Sequence, residues 1–330
     1  MATPVTILGA GAWGTAVATL LAHNGASVRL WCYEQDVAAS INHHHCNHKY
    51  LPDVILGDSI TATTDFNEAL AGAPLIFEAI PVPYLRSVLE KIKCEVSPEV
   101  YQGQWVVLSK GLEHQSLKLP SAILEDVMSP NIHVAVMSGP NFAAELASHA
   151  LTATVIASNH ASLIRQLSNL LSASYFKPIA STDPVGAQVG GALKNVMTLI
   201  LGIAHEAPFS HKNTTAYLFA QGLEEIARVA EYYGGRPETI YGLAGLGDMV
   251  LSCTGTMSRN MQFGLLLGQG LTCEQATKRF HVQPEGVATL QSLHRFIKTT
   301  GLNLPLCHVT YQAVFEGLPF KQALAALWRL

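Results

Sequence analysis

Ten residues from its start, the chain sets a glycine turn directly between a strand and a helix. Val5-Thr6-Ile7-Leu8 is a short apolar run of the kind that makes a buried strand. Gly9-Ala10-Gly11-Ala12-Trp13-Gly14 follows without a gap, and apolar residues then recur at helical spacing from Thr15 to Leu21. Strand, G-x-G-x-x-G turn and helix in that order form the context in which this motif binds a dinucleotide. Gly9 is expected to make the tight turn, Gly11 to let the backbone approach a pyrophosphate, and Gly14 to let the helix close on the strand. The open N–H groups and positive dipole end of the helix favour the phosphates. NAD, NADP or a flavin dinucleotide is the ligand such a turn implies.

The remainder of the chain extends this beginning. Ser27-Val28-Arg29-Leu30-Trp31 reads as a second strand, and residues 75–80, 105–109, 133–137, 153–157 and 175–178 as further ones. They alternate with helical segments, the βαβ pattern of a parallel sheet. Beyond Thr182-Asp183-Pro184 strand-like runs nearly vanish and helical spacing takes over. At 330 residues, two domains are expected. The fold class is α/β, with an N-terminal Rossmann-type dinucleotide-binding domain over residues 1–183 and an all-α substrate-binding and catalytic domain over residues 184–330.

Composition narrows the function. Apolar residues make up 49% of the chain and charged ones 13%, which supports a large core and excludes a disordered chain. A net charge of −4 with no basic run argues against nucleic acid as a partner. Cys32, Cys46, Cys94, Cys253, Cys273 and Cys307 lack paired spacing and are expected as buried free thiols in a reducing compartment. The N-terminal run lacks the basic region of a signal peptide. No uninterrupted stretch of 18 apolar residues marks an integral membrane segment. A soluble, cytoplasmic protein is expected.

Several segments carry chemistry. Lys110-Gly111-Leu112-Glu113 and Ser138-Gly139-Pro140-Asn141-Phe142-Ala143 each follow a strand, where ligands of open α/β sheets bind. In Gly190-Gly191-Ala192-Leu193-Lys194-Asn195, two glycines cost a helix interior about 1 kcal/mol each, so a close approach of ligand or backbone must offset them. Lys194 lies between Leu193 and Val196-Met197. It is either a snorkelling lysine or a buried amine that moves a proton. In Ala244-Gly245-Leu246-Gly247-Asp248 the glycines permit a tight turn that presents Asp248. Ser258-Arg259-Asn260 opens a helix with Ser258 as N-cap. Open N–H groups beside a forked cation suit a phosphate.

Taken together, these segments resemble the NAD(P)-dependent glycerol-3-phosphate dehydrogenases of the bacterial type over nearly the whole chain. Tyr50-Leu51-Pro52-Asp53 and Glu285-Gly286 fit as well. The resemblance implies interconversion of dihydroxyacetone phosphate and sn-glycerol 3-phosphate, supplying glycerol phosphate for phospholipids. By the same resemblance, Lys194 is the general acid for ketone reduction and the base for alcohol oxidation. Asp248 positions it or the substrate hydroxyls. Lys110 touches both substrate and cofactor, and its charge stabilises the developing alkoxide. Ser258, Arg259 and Asn260 hold the substrate phosphate, with Arg259 also reaching the cofactor. The backbone at Gly139 and Asn141 lines the substrate pocket, with Ala143 near the nicotinamide. Gly9, Gly11, Ala12, Trp13, Gly14, Tyr33, Gln283 and Glu285 contact the dinucleotide. A homodimer is also implied. Residues 204–212 are poorer in glycine than the resemblance leads one to expect, and Gln221 stands in place of an arginine.

Both cofactors stay open. An acid beyond the second strand favours the 2′-hydroxyl of NAD, and Glu34 and Asp36 are there, while Arg29 lies inside the strand. His43, His44, His45, Cys46 and His48 form a short-spaced cluster with no second ligand pair, so no metal is expected. Two alternatives remain. One is a ketopantoate reductase or β-hydroxyacid dehydrogenase, which lacks the Ser258-Arg259-Asn260 clamp. The other is a non-catalytic nucleotide sensor, which needs neither Lys194 nor Asp248.

Overall fold

The structure, a computed structural model, describes residues 3–207, 210–254, 258–281 and 283–327. Pro208 and Phe209, in the segment poor in glycine, lie outside the described residues. The chain forms two compact units, one of Met1–Lys110 with Leu119–Pro184, the other of Gly111–Lys118 with Val185–Leu330. The helical unit is therefore discontinuous in sequence. Its inserted segment is tied in where the Tyr233 hydroxyl donates to the Leu117 carbonyl and Arg295 to the His114 carbonyl.

The strands of the first unit are β1 (Pro4–Leu8), β2 (Ser27–Trp31), β3 (Cys46–Asn47), β4 (Leu51–Ile55), β5 (Ile60–Thr63), β6 (Leu75–Glu78), β7 (Gln104–Val107), β8 (Val134–Ser138), β9 (Thr152–Ser158) and β10 (Phe176–Ser181). Eight of them make one sheet in the order β10-β9-β8-β7-β6-β1-β2-β5. From β5 through β8 this is the 3-2-1-4-5-6 order of dinucleotide-binding sheets, reversing between β1 and β6. β1 runs parallel to β2 with Val5 opposite Val28, and parallel to β6 with Ile7 opposite Phe77. Burial on both faces explains why β1 and β6 read as largely apolar runs.

The all-parallel expectation needs one correction, since β8 and β9 are antiparallel. Their link carries only the short helix Ala143–Ala147, too short to return the chain along the full strand as a parallel crossover requires. The sequence reading also missed β5 and the small antiparallel pair of β3 and β4.

Glu78 ends β6 fully buried. Its Oε1 accepts from the Ile80 N–H at 2.6 Å and its Oε2 from the Ser109 hydroxyl at 2.6 Å, joining the ends of β6 and β7. Burial pushes this carboxyl up to about 7, against the opposing pull of those hydrogen bonds.

In the helical unit, the core is the helix Pro184–Glu206, whose residues from Gly186 to Ala204 are all buried. It is long and apolar enough to cross a membrane, yet its most apolar window is entirely buried inside the protein, as in a soluble core helix. A Cβ on Gly202 would come within 2.5 Å of the Met261 carbonyl, and one on Gly264 would overlap the Leu199 carbonyl. The helix Arg259–Gly268 thus lies backbone-to-backbone on the core helix. Glu225, also buried, caps a third helix (Pro305–Phe315) by accepting from the N–H groups of Leu306 at 2.5 Å and Cys307 at 3.0 Å. Of the six free cysteines, Cys32 and Cys307 are buried, Cys94 is exposed and the others are intermediate.

The raised Glu78 gives a signed pH dependence. The folded state binds its proton more tightly than the unfolded chain. That contribution is full below about 4.5 and is lost as pH rises through about 7. Between pH 5 and 8 the parent should lose on the order of 3 kcal/mol more stability than Glu78→Gln. Chemical denaturation across that range checks it, and parallel pH profiles would exclude the buried acid as the cause.

Candidate active site

The first unit holds a cavity of about 580 Å³ at the reversal of strand order. It is lined by the glycine turn, by Tyr33 and Glu34 beyond β2, by Tyr50, by Ile80 beyond β6 and by Tyr84. Two of the motif glycines are required by close backbone contact. Gly9 has φ +115°, and a Cβ there would sit 2.6 Å from the Ala79 carbonyl. A Cβ on Gly14 would overlap the Gly9 carbonyl. A Cβ on Gly11 would meet nothing within 4 Å, so the missing side chain serves no packing contact and leaves room on the cavity wall. Such a cradle fits a pyrophosphate on the helix N-terminus. Ala12 and Trp13 open the helix Ala12–His23 but are not on the cavity lining. The Trp13 indole Nε1 is buried with no hydrogen-bond partner among the described residues.

A second group sits beyond β7 and β8. Lys110 donates to the Gly139 carbonyl at 3.1 Å, and Asn141 donates through Nδ2 to the Thr154 hydroxyl at 2.9 Å. Gly139 has φ +153°, which favours glycine. The Ser138 hydroxyl and Asn141 Oδ1 are buried without a partner among the described residues. Unpaired buried polar atoms are costly, and two beside one loop fit a hydrogen-bonding ligand. Ala143 starts the next short helix.

In the second unit, Lys194 is 8% exposed and its Nζ donates to Asp248 Oδ1 at 2.5 Å and to the Ser252 hydroxyl at 2.9 Å. The snorkelling alternative does not hold, because the amine is retained inside by a fully buried carboxylate. Asp248 arrives by an unexpected route. Residues Leu243–Gly247 form a π-helical turn, wider and not tighter than an α-turn, which leads into the helix Asp248–Thr254. A Cβ on Gly190 would lie 2.6 Å from the Ala244 carbonyl, so backbone is what approaches that glycine. Thr198 donates to the Lys194 carbonyl at 2.8 Å and packs 3.4 Å from the Cys253 sulfur, and burial pushes that thiol up to about 11.

The expected phosphate segment is braced on two sides. Ser258 accepts from the Met261 N–H as an N-cap, and Asn260 Oδ1 accepts from the Gly286 N–H at 2.9 Å. The Arg259 guanidinium lies 5.7 Å over the Phe280 ring. Asn195, next to Lys194, donates to Glu285 at 3.1 Å, and a Cβ on Gly286 would meet the Asn195 carbonyl at 2.5 Å. Gln283 is placed differently, exposed and 3.6 Å from the Cys273 sulfur. Sequence reasoning missed Ser252 here, along with Ile80 and Tyr84 at the cavity, whereas Glu34 was already a candidate for the ribose and Tyr50 part of a segment that fits the resemblance.

Two family models match the chain. Residues 4–164 match the NAD-dependent glycerol-3-phosphate dehydrogenase N-terminus and residues 183–325 its C-terminus. The chain belongs to this dehydrogenase family. It is 41% identical over 327 residues to a protein of Pseudomonas entomophila named glycerol-3-phosphate dehydrogenase [NAD(P)+], covering 99% of this chain and 94% of that one. A protein of the same name from Halorhodospira halophila is 38% identical, covering 99% and 97%. A crystal structure of glycerol-3-phosphate dehydrogenase from Coxiella burnetii superposes with a TM-score of 0.91 at 31% identity, covering 100% of this chain and 99% of that one.

For this family member, Gly190 offers a direct test of the contact that seats Asp248. An alanine gains about 1 kcal/mol of helix propensity but must displace backbone. Gly190→Ala is expected to be destabilised by about 1–3 kcal/mol as an overpacked site. A variant as stable as its parent in urea would show that the turn has room to yield.

Proposed function

We propose that this chain interconverts dihydroxyacetone phosphate and sn-glycerol 3-phosphate with NAD(P)(H). The observation that carries the reading is the buried Lys194 amine, fixed between Asp248 and Ser252. Reducing a ketone takes a hydride and a proton. Bound NAD(P)H would supply the hydride. Lys194 as ammonium would give its proton to the carbonyl oxygen as that oxygen becomes an alkoxide, and would take it back in the oxidation. Asp248 balances the ammonium charge in an otherwise apolar surrounding, and Ser252 limits the directions in which Nζ can point. Such a pair serves position more than stability, since burying both charges costs much of what their attraction returns.

The remaining roles follow from the donors present. Arg259 brings a forked cation to the head of its helix, where Ser258 and Asn260 keep donor groups beyond the bonds they accept. These three would hold the substrate phosphate. Lys110, with the backbone at Gly139 and Asn141, would meet the triose and stabilise developing negative oxygen. Gly9, Gly11, Ala12, Trp13, Gly14, Tyr33, Ala143 and Glu285 would contact the dinucleotide. We retain Gln283 there from the family resemblance alone. The same resemblance supports a homodimer and a role in phospholipid synthesis. The six free thiols favour the reducing cytoplasm.

Purified protein should consume NADH or NADPH when given dihydroxyacetone phosphate and not when given unphosphorylated keto acids. Lys194→Ala should lose about 10²–10⁴-fold in turnover, the usual worth of a general acid, while still binding the reduced cofactor. Full turnover in Lys194→Ala that is folded by circular dichroism would remove the lysine from the chemistry. Arg259→Ala should raise KM for the triose phosphate with a smaller change in kcat, and an unchanged KM would place the phosphate elsewhere.

A further inference from the structure

Glu34 is part of the lining of the cavity in the first unit. We infer that Glu34, locked by Lys49 and Tyr50, makes this chain select NAD(H) over NADP(H). The inference rests on the proposed dinucleotide reading of the cavity.

Its position comes first. Glu34 follows β2 and stands about 20 residues beyond the last motif glycine, where a carboxylate meets the adenosine ribose in this fold. It lines the same cavity as Gly9 and Gly11.

Next come its hydrogen bonds. The Tyr50 hydroxyl donates to Glu34 Oε1 at 2.6 Å, and Lys49 Nζ donates to the same oxygen at 3.0 Å. Both side-chain bonds fall on Oε1, so among the described residues no side chain donates to Oε2, which leaves an acceptor for a ribose hydroxyl. Burial disfavours the charge, but the bonds from Tyr50 and Lys49 outweigh it and hold the carboxyl below its ordinary value. The acceptor is thus ionised at neutral pH, and an ionised acceptor makes the stronger bond to a hydroxyl.

The clamp is also anchored. Asn47, fully buried in β3, accepts from the Tyr50 N–H at 3.1 Å. Its own Nδ2 donates to the Ala10 carbonyl and to the Thr15 hydroxyl, both at 2.8 Å. The segment bearing Lys49 and Tyr50 is therefore fastened to the glycine turn itself, so the acid keeps its place relative to the pyrophosphate cradle.

Charge decides the choice. A 2′-phosphate carries roughly −1.5 to −2 at neutral pH. Here it would meet the Glu34 carboxylate, and Lys49, already bonded to that carboxylate, would have to divide one positive charge between two anions. Arg29, the cation on β2, is already spent on the carbonyls of Glu68 at 2.5 Å and Ala71 at 2.7 Å. A neutral hydroxyl meets none of these penalties.

Titration calorimetry of NADH and NADPH against the full chain and two variants tests this without turnover. The parent should bind NADH at least about tenfold more tightly than NADPH. Glu34→Gln should bring the two affinities within about threefold, because it removes the repulsion and the charged acceptor together. Lys49→Met should weaken NADH and leave NADPH no tighter, as expected of a positioning residue. Equal or tighter binding of NADPH by the parent would overturn the inference and leave the dinucleotide reading intact. So would a Lys49→Met variant that loses NADPH more than NADH, since Lys49 would then be the phosphate ligand. Binding of neither nucleotide would overturn the dinucleotide reading itself and the inference with it.

Discussion

Backbone resting on backbone is the constraint on which both units depend. In the first, the turn at Gly9 lies against the Ala79 carbonyl, and Gly14 lets the first helix settle on that turn. In the second, Gly190 meets the Ala244 carbonyl, Gly202 and Gly264 meet each other's helices, and Gly286 meets the Asn195 carbonyl. In the second unit these contacts set one group within reach of another: Asp248 of Lys194, the Ser258 helix of the core helix, Glu285 of Asn195. A single methyl group at any of these glycines would push apart elements whose side chains are otherwise suited to their places. The helix propensity forgone by glycine, about 1 kcal/mol each, is small beside that.

Buried carboxylates are handled in two ways. Asp248 is matched by the Lys194 amine, a side chain of the opposite charge type. Glu78 and Glu225 meet backbone N–H groups instead, and burial raises both. Those two serve as ties between elements, Glu78 between strand ends and Glu225 at a helix start. The same residue type thus reads as machinery or as fastening according to what faces it.

Much of the site was legible because its residues are out of character with their surroundings. Lys194 stands out in an apolar helix, and the motif glycines stand out between a strand and a helix. The strand at Trp105 was legible because burial on both faces leaves an apolar run. β5 was not, since Ile60-Thr61-Ala62-Thr63 is short and half polar. Ser252 was hidden because a serine has no distinguishing pattern, and its partner lies 58 residues away. Asn47 was hidden for the same reason, and the bond of Tyr50 to Glu34 arises only when the small hairpin folds back on the glycine turn. The antiparallel turn of β9 depends on the length of the helix before it, which the apolar pattern does not encode.

The π-helical turn at Leu243–Gly247 carries a consequence of a different sort. Its bond from the Gly247 N–H to the Gly242 carbonyl spans five residues, one more than an α-turn. Each added or removed residue rotates the downstream helix by about 100°. The aim of Asp248 is thus stored as a count of residues, independent of the strength of any contact it makes. Loss of one residue from this turn would preserve the composition and the apolar pattern and still swing the carboxylate off the lysine. Over these five positions, length specifies the Asp248–Lys194 pair as much as residue identity does, and an insertion or deletion here is a mutation of Asp248 in all but name.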